Sequence, residues 1–114
     1  MREFYIASVT HTHREHQYVT FWRPEDQGYA WPLSWSGRYT EEQVLDSLEY
    51  YNDGWHTIAI PVDVVQRLAV PPFKGTIDGD AGPVVMNTLE NWKVLQDAVV
   101  WQPGHEVKLY PHGL

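Results

Sequence analysis

The fold of this chain is decided by residues 40–54, which read TEEQVLDSLEYYNDG. Thr40 and Gln43 have the spacing of a capping box, in which each side chain bonds the backbone amide of the other residue. The apolar positions that follow have the spacing of one buried helical face: Val44, Leu45, Leu48 and Tyr51. Gly54 can adopt the positive φ that ends a helix. The stretch therefore predicts an amphipathic helix.

The opposite side of this predicted helix is acidic. Its carboxylates recur at i, i+4, i+7 and i+11, and they belong to Glu42, Asp46, Glu49 and Asp53. Residues 39–66 contain six acids and no Lys or Arg, so they carry −6 of the net charge of −7. Surface helices usually mix both signs, because like charges at helical spacing repel. The stripe is therefore either a plain solvated face or a binding surface for a basic partner.

Strand-like segments lie on both sides of the helix. Upstream, Glu3–Thr10, Gln17–Trp22 and Tyr29–Leu33 are joined by short polar turns, which predicts an antiparallel meander. Downstream, His56–Ile60 and Glu106–Tyr110 are the remaining strand candidates.

Two further helices are predicted after the fourth strand candidate. Pro61 opens a short one over residues 62–69. Asn87 is the predicted cap of a final helix from about Thr88 to Val100. The fold class is α+β: a single small domain with a mostly antiparallel sheet of four or five strands, covered by two main helices on one face.

The composition excludes several classes of protein. A chain of 114 residues is one domain, and 43% hydrophobic residues argue against disorder. The lack of cysteine excludes disulfide scaffolds and thiolate zinc sites. No apolar run reaches the 18 residues of a membrane span. Eight basic against 15 acidic residues disfavour direct nucleic-acid binding. We expect a cytoplasmic protein with no cofactor and no membrane contact.

The strongest candidate for a metal or catalytic site in the sequence is a cluster of three histidines: His11, His13 and His16. Two residues that are two apart on a strand point to the same side, and a hairpin can bring the third alongside. Three imidazoles with one open position suit a zinc-type ion that activates water. The other interpretation is a polar turn with solvated histidines. The serine-nucleophile, P-loop and dinucleotide motifs are absent, which lowers the odds of an enzyme.

Two other segments contain candidate binding residues. Trp31 and Trp35 are either core side chains or an exposed platform for a protein, a sugar or a base. Trp35 is the better candidate for exposure because it lies beyond the third strand. The run Asp78-Gly-Asp-Ala-Gly82 starts like a calcium loop but lacks the later ligands, so we interpret it as a turn.

The chain resembles a group of proteins through several short runs. They are YVTFW at 18–22, Gly28-Tyr29, GRYTEEQV at 37–44 and TIAIP at 57–61. In this pattern it is similar to small uncharacterised accessory proteins of tailed bacteriophages and prophages, over roughly residues 3–70. The resemblance carries no catalytic residue. It implies expression inside an infected bacterium, where small acidic proteins often bind host or defence proteins.

The leading hypothesis is a non-enzymatic protein that binds a bacterial protein through its acidic helix face, with Trp35 as an aromatic anchor. A defence or nucleic-acid-handling complex is the most natural target, because its own binding groove must be basic. One alternative is a metal-binding module or metal-dependent enzyme built on His11, His13 and His16. A further alternative is a virion or assembly component.

Overall fold

Five strands and four α-helices form the regular structure of the residues that the computed structural model describes, 2–77 and 81–101. In chain order they are β1 (Glu3–Ser8), β2 (Phe21–Trp22), β3 (Tyr29–Ala30), β4 (Tyr39–Thr40), α1 (Glu41–Asp46), α2 (Leu48–Tyr51), β5 (Thr57–Pro61), α3 (Val62–Arg67) and α4 (Leu89–Asp97). Two short 3-10 helices, Pro24–Asp26 and Leu33–Trp35, lie within the connections. The predicted strand Glu106–Tyr110 lies outside the described residues.

The sheet is built around β1. On one side, β5 pairs antiparallel with β1 from Phe4 to Ser8. The other side is shared, because Ala7 pairs with β2 and the start of β1 pairs with β4. The hairpin partner of β2 is β3. These pairings confirm the α+β class and the antiparallel order of the first three strands, whereas β4 was not predicted.

Both faces of the sheet are covered, so the two main helices do not share one face as predicted. Because side chains alternate along a strand, Tyr5 and Ala7 point away from Phe4 and Ile6. The first pair packs in a core with Trp92 and other residues of α3 and α4. The second pair packs in a separate core with residues of α1 and α2. A central strand that is apolar on both faces needs a layer of cover on each.

The predicted helix over residues 40–54 is two short helices that meet at Ser47. The capping box is confirmed, because Gln43 N–H donates to Thr40 Oγ1 at 3.1 Å and Thr40 N–H donates to Gln43 Oε1 at 3.0 Å. Ser47 then leaves helical geometry, with φ −140° and ψ 53°. Val44 and Tyr51 are buried as the periodicity predicts, whereas Leu45, which it also placed in the core, is exposed.

The cap of α4 is Thr88 and not Asn87. Thr88 Oγ1 accepts a hydrogen bond from Asn91 N–H at 3.1 Å. Asn87 instead connects α4 to the loop that follows β1. Its Nδ2 donates to the carbonyls of His13 and His16 at 3.1 and 2.9 Å, and its Oδ1 accepts from Trp92 Nε1 at 2.6 Å. These distant partners explain why a local capping rule misplaced the boundary.

The second predicted strand, Gln17–Trp22, is divided between two partners. Only Phe21–Trp22 pairs within the sheet as β2. Earlier in the segment, Tyr18 bridges Met86, and Val19 N–H donates to Val85 O at 2.9 Å.

Helix α3 ends at Arg67, two residues before the predicted end. No helix in the described part of the chain is both long and apolar enough to cross a bilayer.

Candidate functional site

A groove of about 580 Å³ lies beside the loop that follows β1. One wall contains the three predicted histidines, and the other comes from the chain between β2 and β4. Aromatic side chains are concentrated in this second wall: Tyr29, Trp31 and Trp35. The fold therefore brings two of the candidate clusters of the sequence, the histidines and the tryptophans, into one concave surface.

The three histidines line the groove but do not converge on one point. The ring of His11 stacks on Tyr29 with centroids 4.1 Å apart, and its Nδ1 lies 3.1 Å from Ser8 Oγ. His13 and His16 meet edge to face, and His13 N–H donates to His16 Nδ1 at 3.2 Å. Among residues 2–77 and 81–101, no group of three His, Asp or Glu side chains is placed to hold a metal ion. The predicted three-histidine metal site is therefore not formed.

The histidine loop, residues 11–16, is held in place by hydrogen bonds to the body of the protein. Thr12 is fully buried, and its hydroxyl donates to Ser8 O at 2.7 Å and accepts from Thr20 N–H at 2.9 Å. Asn87 anchors the far end of the loop through the two carbonyl bonds described above. Because both ends are tied to the body of the protein, the loop presents its histidines in a fixed arrangement.

The two tryptophans occupy different positions in the groove. Trp31 is half-buried, and its Nε1 donates to Thr20 Oγ1 at 3.1 Å. Trp35, the better candidate for exposure of the two, is 40% exposed. The Arg23 guanidinium lies over the Trp35 ring at 5.3 Å, while Arg23 Nε donates to Tyr29 O at 2.9 Å. Nearby, Gly37 packs directly against Pro24, since a Cβ at residue 37 would lie 2.7 Å from the backbone of Pro24.

A second surface lies on α1 and α2. We call Glu42, Asp46 and Glu49 the acidic surface, because all three side chains are exposed. Within the described residues, none of the three forms an ion pair. Glu42 and Asp46 lie four residues apart on α1 and are therefore neighbours on its surface.

Asp53, the fourth residue of the predicted stripe, has a local bonding role. Its Oδ1 accepts from the backbone amides of Trp55, His56 and Thr57 at 2.7–3.0 Å, and its Oδ2 lies 2.7 Å from His56 Nδ1. Burial raises the pKa of Asp53, but these hydrogen bonds outweigh burial and hold the pKa below its ordinary value. Asp53 therefore fixes the turn into β5, and its oxygens are already engaged.

Large apolar side chains are exposed beside the acidic surface, which the periodicity did not predict. They are Leu45 (49% exposed), Tyr50 (55%) and Trp55 (47%). Beneath them, the Trp22 ring lies 5.1 Å from the ring of Tyr50 and supports it. Of these three residues, the periodicity placed only Leu45 in the core.

Tyr39 connects the groove to the acidic surface. Its hydroxyl donates to Arg23 O at 2.6 Å and accepts from Asp26 N–H at 2.9 Å, and its ring lies 5.3 Å from that of Tyr51. Burial is the main reason that the pKa of Tyr39 is raised far above its ordinary value. The hydroxyl is therefore protonated at neutral pH and acts as a structural bridge.

The chain matches no protein-family model, no curated protein and no solved structure. The groove and the acidic surface are therefore the basis on which a function can be proposed.

Proposed function

We propose that this chain is a small interaction protein of the bacteriophage accessory type, which binds a bacterial protein through its acidic surface. The observation that carries the proposal is the combination of exposed large apolar side chains along residues 42–55 with the carboxylates of the acidic surface, which form no ion pair with the described residues. The partner contributes a basic surface with an apolar centre. A host defence or nucleic-acid-handling protein fits this description, because it must offer a basic groove to phosphate.

The charge of the segment supports an electrostatic role. Residues 39–66 contain six acids and no Lys or Arg, and the net charge elsewhere is −1. Concentrated like charge destabilises a helix by a few tenths of a kcal/mol per pair, so folding alone does not favour it. A located field of one sign does speed association with a surface of the opposite sign.

The exposed apolar side chains supply binding energy that charge alone does not provide. Interfaces are enriched in Tyr and Trp, and buried aromatic residues at their centre carry much of the binding energy. Tyr50 and Trp55 are each about half exposed next to the carboxylates. Association would bury these rings, while the surrounding carboxylates meet Lys and Arg of the partner. Trp35, the aromatic anchor suggested by the sequence, contacts Arg23 in the groove, so Trp55 takes its place in the proposal.

The experiment compares capture from a bacterial extract by the wild-type chain and by a triple variant, Glu42→Lys, Asp46→Lys and Glu49→Lys. We expect one bacterial protein to bind the wild type and to be released as salt rises, because screening weakens interactions between exposed charges. The triple variant should lose this protein. Trp55→Ala should weaken its capture without changing the salt dependence.

A matched control places the same charge change elsewhere. Glu15, Glu90 and Asp97 are exposed, and Glu90 occupies the first turn of α4 as Glu42 does in α1. The variant Glu15→Lys, Glu90→Lys and Asp97→Lys should therefore retain the captured protein. Equal capture by the wild type and the acidic-surface variant would refute the proposal, and so would equal loss in both triple variants.

A further inference from the structure

The groove has the size and exposure of a ligand site. Its volume of about 580 Å³ falls within the ~300–1,000 Å³ that small-molecule sites occupy. Two of its aromatic side chains are partly exposed, since Tyr29 is 43% and Trp35 is 40% exposed. His11 stacks on one face of Tyr29, and the Arg23 guanidinium lies over one face of Trp35. Aromatic rings exposed on the walls of a concave surface provide faces on which another planar ring can stack.

Hydrogen-bond donors lie next to these rings. Arg23 uses Nε for the carbonyl of Tyr29, and its terminal nitrogens have no hydrogen-bond or ion-pair partner among the described residues. His16 accepts a hydrogen bond at Nδ1, so in the neutral imidazole Nε2 carries the proton and is a donor. The described lining residues include no Asp or Glu. The described lining thus combines aromatic faces with donors suited to an anion.

We propose that the groove binds a nucleotide, with the base stacked on Trp35 and the phosphate bonded by Arg23 and His16. A guanidinium fork and an imidazole N–H match the several acceptor oxygens of a phosphate. A sugar hydroxyl both donates and accepts hydrogen bonds. A neutral saccharide would therefore need acceptor groups from the protein as well as the donors of Arg23 and His16. The ligand therefore needs a planar ring and a negative charge together.

The ligand is a single nucleotide and not a nucleic-acid strand. The chain has a net charge of −7, so a long polyanion that extends beyond the groove is repelled by the rest of the surface. At physiological ionic strength, charges more than about 8 Å apart are largely screened. A mononucleotide in the groove lies next to Arg23 and is small enough to avoid much of this repulsion.

Calorimetric titration of the whole chain tests the proposal with four probes: adenosine 5′-monophosphate, adenosine, inorganic phosphate and maltose. We expect one equivalent of the nucleotide to bind with a Kd below about 1 mM. Adenosine and inorganic phosphate should each bind at least about tenfold more weakly, because each lacks one of the two recognised groups. Maltose should not bind.

Variants separate the two parts of the site. Trp35→Ala should weaken nucleotide binding about tenfold through loss of stacking, and Trp35→Phe should keep most of it. Trp55→Ala is the matched control, since Trp55 is 47% exposed but lies outside the groove, and it should bind like the wild type. Arg23→Gln should weaken binding of the nucleotide more than binding of adenosine, because Gln lacks the guanidinium that bonds the phosphate. Thermal unfolding of each variant confirms that it is folded.

Several results would overturn the proposal. One is the absence of nucleotide binding, and another is equal affinity for nucleotide and inorganic phosphate, which would indicate a simple anion site. Binding of maltose, or of a single-stranded oligonucleotide without the mononucleotide, would assign the groove to another ligand. None of these results bears on capture through the acidic surface, because no residue of the acidic surface lines the groove.

Discussion

The groove and the acidic surface are built in opposite ways. The acidic surface and its apolar neighbours come from one continuous run, residues 42–55, whose capping box and turn are stabilised mainly by local hydrogen bonds. The groove is assembled from separate segments, including residues 11–16 and 29–35. Asn87 secures its histidine loop across 74 and 71 positions of the chain. A local pattern can therefore reveal the first surface, while the second exists only once the chain has folded.

The largest effect is expected at Asn87, because Asn87→Ala removes the side chain that ties the histidine loop to α4. The change leaves the carbonyl of His16 and the indole N–H of buried Trp92 without their partner, while the His13 carbonyl keeps its bond from His16 N–H. We expect a loss of about 3 kcal/mol in the free energy of unfolding, measured in urea, since each unsatisfied buried group costs about 1–3 kcal/mol. Hydrogen exchange should rise in residues 11–16 and stay unchanged in α1.

Thr88→Ala is the neighbouring control for Asn87. It removes the cap of α4, a loss of about 1 kcal/mol, without touching the loop. Unchanged exchange in residues 11–16 of the Asn87→Ala variant would contradict the assignment of Asn87 as the anchor of the groove.

The corresponding change beside the acidic surface is Asp53→Ala, with a smaller expected loss of about 2 kcal/mol. Three backbone amides and His56 lose their acceptor, so the turn into β5 loosens while the groove stays intact. Asp53→Asn should lose less, because its amide oxygen still accepts. Nucleotide binding in the groove should be the same in all three proteins, and a parallel loss would show that the two regions are not independent.

The contribution of Asp53 should also depend on pH. Its pKa lies below the ordinary value of 3.8, so the folded state holds this proton less tightly than the unfolded chain does. The stabilisation is therefore complete above pH 3.8 and is lost as the pH falls through the lower pKa of the folded state. The difference in unfolding free energy between wild type and Asp53→Asn should shrink in that acid range and remain constant above it.

The contrast between the two surfaces also explains which predictions the sequence supports. The capping box of Thr40 and Gln43 depends on residues three apart, and the alternation of β1 depends on neighbours, so both were predictable. The contacts of Tyr51 with Trp22 and Tyr39 were not predictable, because helical spacing does not identify partners from other segments of the chain. The sequence also could not show whether the three histidines converge on one point. His11 stacks on Tyr29, and this tertiary contact exists only in the folded protein.

The smallest effect tests whether the acidic surface is retained for binding. Asp46→Lys replaces a repulsive i, i+4 pair with Glu42 by an attractive one, at the last residue of α1 where the helix dipole favours a cation. We expect a gain of about 0.5 kcal/mol in unfolding free energy at low salt, which disappears at 1 M salt.

Asp97→Lys is the matched control, because Asp97 is also the exposed last residue of its helix but lies four residues after Lys93. This change replaces an attractive pair by a repulsive one, so the same substitution should fail to stabilise α4. If Asp46→Lys gives a protein that is more stable and no longer captures its partner, then folding disfavours the Asp46 carboxylate and binding requires it. If stability rises and capture is unchanged, Asp46 is an ordinary solvated residue, and the proposed interface must exclude it.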